Sequence, residues 1–175
     1  MRKSTTYLLA LLFVGTTIQA QNLSVSESSK AAISALASMT GQWEGNGWAM
    51  KKDKTKSEFE QTTNGYFKLD STVLVLENVA TQKGKTVVND MILISYDLSD
   101  STYLVMSYSV NGKSSTTTAT LENGMLTWSP RNRITERLGV NKAGIMISGV
   151  AMTKEDKTIP MTEVKLEAVK PKRDK

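Results

Sequence analysis

The chain has 175 residues, with 22 Lys plus Arg against 17 Asp plus Glu, and it contains neither cysteine nor histidine. The missing cysteine excludes disulfides, thiolate catalysis, cysteine metal sites and a lipid-modified N-terminal cysteine. The basic excess comes entirely from Arg2 and Lys3 at the start and Lys170, Lys172, Arg173 and Lys175 (less Asp174) at the end, so residues 21–169 are neutral overall. That leaves no basic face able to displace counterions from nucleic acid, and no nucleic-acid partner is expected.

Residues 1–20 read as a cleaved signal peptide. Arg2 and Lys3 precede an apolar run from Tyr7 to Val14, and small and polar residues lead to a cut after Ala20. The run is far short of the roughly 20 apolar residues a spanning helix needs, so no membrane span is expected. The mature chain of about 155 residues then suffices for one core and one domain. Residues 21–40 form a polar leader and one short helix over Lys30–Met39. In it Ile33, Leu36 and Ala37 share a face, and Gly41 stands at the stop position. This helix is expected to plug one end of a sheet.

From Gln42 the pattern changes to short β-rich runs: 42–52, 56–63, 67–81, 86–97, 102–110, 114–122, 125–129, 132–139, 145–153 and 159–169. The breaks include three Asn-Gly pairs, at residues 64–65, 111–112 and 123–124, which suit the positive φ angles of tight hairpins. No connection is long enough for a crossover helix. The expected fold is therefore all-β, an up-and-down antiparallel barrel of about ten strands over residues 41–169, with a short N-terminal helix and a basic tail, 170–175. A two-sheet sandwich is the alternative. Several runs alternate with period two. Leu104, Met106, Tyr108 and Val110 share one face, Val164, Leu166 and Ala168 another, and Ala119 and Leu121 lie opposite Thr116, Thr118 and Thr120. Residues 72–76 and 91–94 are apolar on both faces and are expected to be covered outside by the N-terminal helix or by a partner. An outer-membrane barrel requires a lipid-facing apolar row on every strand, whereas many rows here are Lys, Glu, Thr and Ser.

The first strand begins Gly41-Gln-Trp43-Glu-Gly45-Asn-Gly47-Trp48, followed later by Leu69-Asp70-Ser-Thr72-Val-Leu-Val-Leu-Glu77 and Ser95-Tyr96-Asp97. These residues resemble the calycin superfamily of lipocalins, fatty-acid-binding proteins and nitrobindin-like barrels, and within it a group of exported lipocalin-like barrels of unknown function. The resemblance covers residues 36–169. It implies that Trp43 closes the narrow end of the barrel against a basic residue of the last strand, for which Lys165 is the candidate. Stacking would bury indole area and add cation–π attraction. Gly45 and Gly47 would let the strand coil where the barrel closes. Nitrobindin-like relatives hold haem through a histidine. This chain has none, and none of Tyr66, Tyr96, Tyr103 and Tyr108 has a spacing that marks it as a substitute, so no cofactor is expected.

The mouth of a small barrel can hold one small ligand. Trp48, Tyr96, Met106, Tyr108 and Trp128 combine apolar bodies with polar tips and are the candidate lining; the same residues would serve an ordinary core. Arg131, Arg133 and Arg137 would share one face of a strand. Either they point inward as a carboxylate clamp, with Arg137 the candidate, or Ile134 and Leu138 take the core and Glu136 points in with them. Glu77 and Asp90 sit in apolar stretches and are candidates for a raised pKa or for structural hydrogen bonding. No catalytic motif or metal-ligand spacing is present, so no catalytic residue and no metal site is assigned. The function expected is an exported carrier of a small apolar or amphipathic molecule. A cofactor-free enzyme using Tyr and carboxylate groups, or an envelope interaction protein with a filled core, are the alternatives. The oligomeric state is not readable from the sequence.

Overall fold

The computed structural model describes residues 26–170. The signal peptide assigned to residues 1–20, the leader up to residue 25 and the tail beyond Lys170 lie outside them.

The chain opens with helix α1, Glu27–Ser34. Ser26 caps it by accepting the Ser29 backbone N–H, and Glu27 sits in the first turn, where the helix dipole favours negative charge. The helix starts three residues before the expected Lys30 and stops at Ser34. The remainder of the expected helix is a separate 3-10 turn, Ala37–Met39, because Leu36 leaves helical geometry. That break lets Ile33, Leu36 and Met39 all enter the core, where each is essentially without exposure.

Ten strands follow: β1 Gly41–Met50, β2 Lys56–Lys68, β3 Val73–Gln82, β4 Lys85–Asp97, β5 Thr102–Ser109, β6 Ser114–Glu122, β7 Met125–Arg131, β8 Ile134–Val140, β9 Met146–Lys154 and β10 Lys157–Ala168. Each pairs antiparallel with the next, and β1 pairs with β10, so the sheet closes into an up-and-down barrel and not a sandwich. The closing seam depends on Gly45, where a Cβ would strike the Lys165 carbonyl oxygen.

Short hairpins carry the expected chemistry. Asn123-Gly124 and Lys83-Gly84 both place two successive residues at positive φ, the requirement of a turn that follows strand twist. Asn64-Gly65 is different. It was expected to be a turn, but both residues lie inside β2, paired with β1 and β3. A Cβ on Gly65 would collide with the Met39 carbonyl oxygen. This glycine therefore serves the close approach of the 3-10 turn, not chain reversal. The reversal falls at Leu69-Asp70-Ser71, all at positive φ. Asp70 there accepts an ion pair from Lys30 of α1 at 2.6 Å, tying the plug to the wall.

The register fixes which side chains face inward. Leu74, Leu76, Asn78 and Ala80 of β3 lie against Ile94, Ile92, Asp90 and Val88 of β4. Val164 and Leu166 face inward as their alternation suggested, and so does Ala119. In β5 the phase is the reverse of the one expected. Tyr103, Val105, Ser107 and Ser109 face in, and Leu104, Met106, Tyr108 and Val110 face out. The cause is the register with β4: Tyr103 pairs with Tyr96 and Val105 with the fully buried Ile94. A one-residue slip inverts a whole strand. The outward residues join Tyr66, Val75 and Leu93 in an apolar band across β2–β5, at whose centre Val75 is only 4% exposed.

The two ends of the barrel differ. At one end α1 and the 3-10 turn insert Ile33, Leu36 and Met39 among Leu74, Ile94, Leu126, Met146 and Leu166. Tyr96 and Tyr103 meet edge to face there, 5.0 Å apart, and the Tyr103 hydroxyl donates to the Ala32 carbonyl at 2.9 Å. The other end, where β1 meets β2 and β9 meets β10, has no such plug among the described residues.

Candidate functional site: an acidic cavity at the open end

Between the plug and the open end lies a cavity of about 320 Å³. Leu76, Met146 and Leu166 form its floor. Phe59, Val88, Val150 and Trp128 supply further apolar wall. A volume of this size is at the lower end of the range for small-molecule sites, and a mixed apolar and polar lining is typical of them.

One wall carries a directed chain of hydrogen bonds. Gln61 Nε2 donates to Thr63 Oγ1 (3.2 Å), Thr63 Oγ1 donates to Asn78 Oδ1 (2.7 Å), and Asn78 Nδ2 donates to Asp90 Oδ1 (2.7 Å). The direction follows from the last acceptor: an ionised carboxylate can only accept, so Asn78 must offer its NH2 to Asp90 and its carbonyl to Thr63. Thr63 and Asn78 are buried at 4% and 8% exposure, and their mutual bond meets the cost of that burial. Strand register places the chain on one level, since Thr63 pairs with Asn78 and Asn78 with Asp90.

The second carboxyl comes from β8. Glu136 lies directly across from Trp128 in the β7–β8 pair. Burial pushes the Asp90 carboxyl above the usual carboxylate range, against the opposing hydrogen bond from Asn78. Burial does the same to Glu136. A hydrogen bond from Trp128 works against that shift, and the negative charge of Asp90 adds to it. Both carboxyls thus line one cavity, and the charge of Asp90 reaches Glu136 across it.

The sequence-derived candidates are distributed as follows. Trp128 lines the cavity. Tyr96 faces inward but stands in the closed end against Tyr103, away from the cavity lining. Met106 and Tyr108 face outward with the rest of their β5 phase. Trp48 is also outside, alternating with the inward Gly47 and Ala49, and the Lys56 ammonium sits 3.9 Å over its ring. Arg137 borders the cavity through the wall, but its guanidinium turns outward to Glu163 Oε2 at 3.4 Å. It is no interior carboxylate clamp, because Leu138 takes the inward phase of β8. Arg133 occupies a positive-φ turn position and not a strand.

Trp43 is buried, with its indole N–H unpartnered by protein. Lys165 lies on the opposite face of the wall, paired in register with Asn46 and bridged to Glu163 at 3.1 Å. The stack implied by the resemblance therefore does not form: Trp43 closes the plugged end with apolar contacts alone. Glu77 is outside, accepting a hydrogen bond from Tyr66 at 2.8 Å.

Gln61, Thr63 and Asn78 were not singled out from the sequence. Asn78 had a readable signal, since it falls in the same phase as Leu74, Leu76 and Ala80. A polar residue in a buried phase marks either a hydrogen-bonded core or a site. Thr63 and Gln61 carry no such signal, because β2 has few aliphatic residues to define its phase.

A wider groove runs outside the barrel beside the β1–β2 hairpin, past Trp48, Lys56, Glu58 and Lys83. It is a charged, open surface depression and lacks the enclosing apolar walls of the cavity.

Haem, which the nitrobindin-like resemblance brings into question, does not fit these residues. The chain has no histidine. Tyr66 and Tyr108 face outward, the Tyr103 hydroxyl is committed to Ala32, and no tyrosine lines the cavity.

No protein-family model matches this sequence, and comparison with curated proteins finds no match. Among solved structures, the crystal structure of Rv2717c from M. tuberculosis is similar, with a TM-score of 0.55 over 81% of this chain and 98% of that one, at 9% identity. Identity this low speaks to the fold alone. At that coarse level the two share a closed antiparallel β-barrel, which in this chain has ten strands.

Proposed function

We propose that this protein is an exported carrier that holds one small amphipathic molecule inside its barrel, and that it belongs with the lipocalin-like barrels its first-strand motif resembles. The observation that carries the reading is the cavity of about 320 Å³, whose apolar floor faces two half-buried carboxyls. A barrel serving only as a scaffold for outer contacts has no need to leave such a space, or to bear the cost of burying carboxyls in it. Export rests on the charge and hydropathy of residues 1–20. Native mass spectrometry of the protein taken from its own cell envelope, beside a denatured sample, tests both parts. The expected result is a chain shortened by its first 20 residues carrying a reproducible extra mass that denaturation removes. A full-length chain refutes export. A clean unliganded mass, with no thermal shift across a panel of small amphiphiles, refutes the carrier.

A second reading has one observation in its favour. Two carboxyls in one cavity with pKa values pushed up by burial suit an acid and a base. The pair is Asp90 and Glu136 and not Tyr with a carboxylate, since neither inward tyrosine lines the cavity. For an enzyme, Asp90→Asn and Glu136→Gln would each lower turnover of the bound species at least about 100-fold. For a carrier they change affinity and there is no turnover to lose.

A further inference from the structure

The charge facing the cavity identifies the class of ligand, given the carrier reading above. The polar side chains along the wall are linked in series, Gln61 to Thr63, Thr63 to Asn78, and Asn78 to Asp90, and these three donors are neutral. The charged groups that face the cavity are both acids, Asp90 through its second oxygen and Glu136 through its carboxyl, and both are acceptors when ionised. Arg137 is the one basic residue among those bordering the cavity, and its guanidinium is held outside by Glu163. We infer that the cavity selects an amphipathic amine, a primary ammonium on a short apolar body, and discriminates against the carboxylate of the same length. At roughly 30 Å³ per water-sized group, the space admits about ten non-hydrogen atoms.

An ammonium has three donors and no acceptor, which matches two carboxyls on facing walls. It also removes the repulsion between Asp90 and Glu136 that the unliganded barrel carries. A carboxylate ligand would add a third negative group to a site whose one bordering cation, Arg137, is turned away toward Glu163. Discrimination therefore comes from an unfavourable contact with the wrong ligand as much as from a favourable one with the right one. The groups that face the ligand and titrate are Asp90 on β4 and Glu136 on β8. The remaining lining residues on β1, β2, β3, β7, β9 and β10 carry no ionisable side chain.

The test is isothermal titration of the mature protein with octylamine, octanol and octanoate, each below its micellar concentration, at pH 7 and pH 4. The amine is expected to bind at least tenfold tighter than octanoate at pH 7, and its preference over octanol, which is neutral at both pH values, is expected to shrink at pH 4 as the cavity carboxyls protonate. In the double variant Asp90→Asn with Glu136→Gln the preference is lost while octanol binding survives. Octanoate binding as tightly as the amine, or a preference that persists in the double variant, overturns the inference and leaves the carrier reading in place. Failure of all three probes to bind overturns both. The wild-type ratio decides the matter by itself if the double variant does not fold.

Discussion

The two ends of this barrel are built from the same ten strands and the same alternation, yet they do opposite things. At the plugged end the inward phase is aliphatic: Leu74, Ile94, Leu126, Met146 and Leu166 join Ile33, Leu36 and Met39 in one buried cluster. Moving toward the open end along the same strands, the inward phase turns polar. It passes from Ile94 and Ile92 to Asp90 on β4, from Leu76 to Asn78 on β3, from Leu138 to Glu136 on β8, and from Val105 to Ser107 and Ser109 on β5. The lesson is a division of labour. Burial of apolar area at one end stabilises the fold by about 25 cal/mol per Å², and that surplus tolerates two poorly solvated carboxyls at the other.

The comparison breaks most readily at the plug. Leu36→Ala is expected to cost about 2–5 kcal/mol, because a fully buried side chain leaves a cavity that the closed barrel cannot collapse around. Thermal and urea unfolding measure it; a loss under about 1 kcal/mol would mean that the plug is not part of the cooperative core. Gly65→Ala comes next, at about 1–3 kcal/mol, since its methyl meets the Met39 backbone and the 3-10 turn must move. Tyr103→Phe removes the hydroxyl that holds Ala32 and is expected to cost about 0.5–1.5 kcal/mol, read from the same unfolding curves.

At the open end the sign reverses. Asp90 and Glu136 have folded pKa values above the ordinary range, so ionising them opposes folding. The penalty is absent below the ordinary carboxylate pKa and grows as pH rises through the raised values. Asp90→Asn keeps the acceptor for Asn78 and removes the charge. It is expected to raise Tm at pH 8 by about 1–3 °C and to leave it unchanged at pH 3. A stabilising effect of equal size at both pH values would show that charge is not what distinguishes this end.

Much of the architecture was legible without coordinates. Turn pairs such as Lys83-Gly84 and Asn123-Gly124 announce reversals because few other residues adopt positive φ cheaply. Period-two runs such as 164–168 announce a wall with one wet face. The site was legible only in part. Asp90 stood out with Glu77 as a carboxyl in an apolar stretch, and Glu136 as the residue left pointing in if the arginines point out, whereas Glu77, Trp48, Met106 and Tyr108 turned out to lie on the outer face. In β5 both phases contain large apolar residues, so alternation alone assigns no inside. Asn64-Gly65 carried a turn signature that another constraint had produced.

By itself, then, the sequence determined the number of strands, their antiparallel succession and the presence of one short plugging helix, since these follow from local turn chemistry and hydrophobic period. Tertiary structure alone decided which phase of each ambiguous strand faces in, which end the helix closes, and that Gln61, Thr63, Asn78, Asp90 and Glu136 share one cavity. The physical reason is that register is a property of neighbouring strands. Tyr103 and Val105 point inward because Tyr96 and Ile94 lie opposite them, and no residue within β5 carries that information.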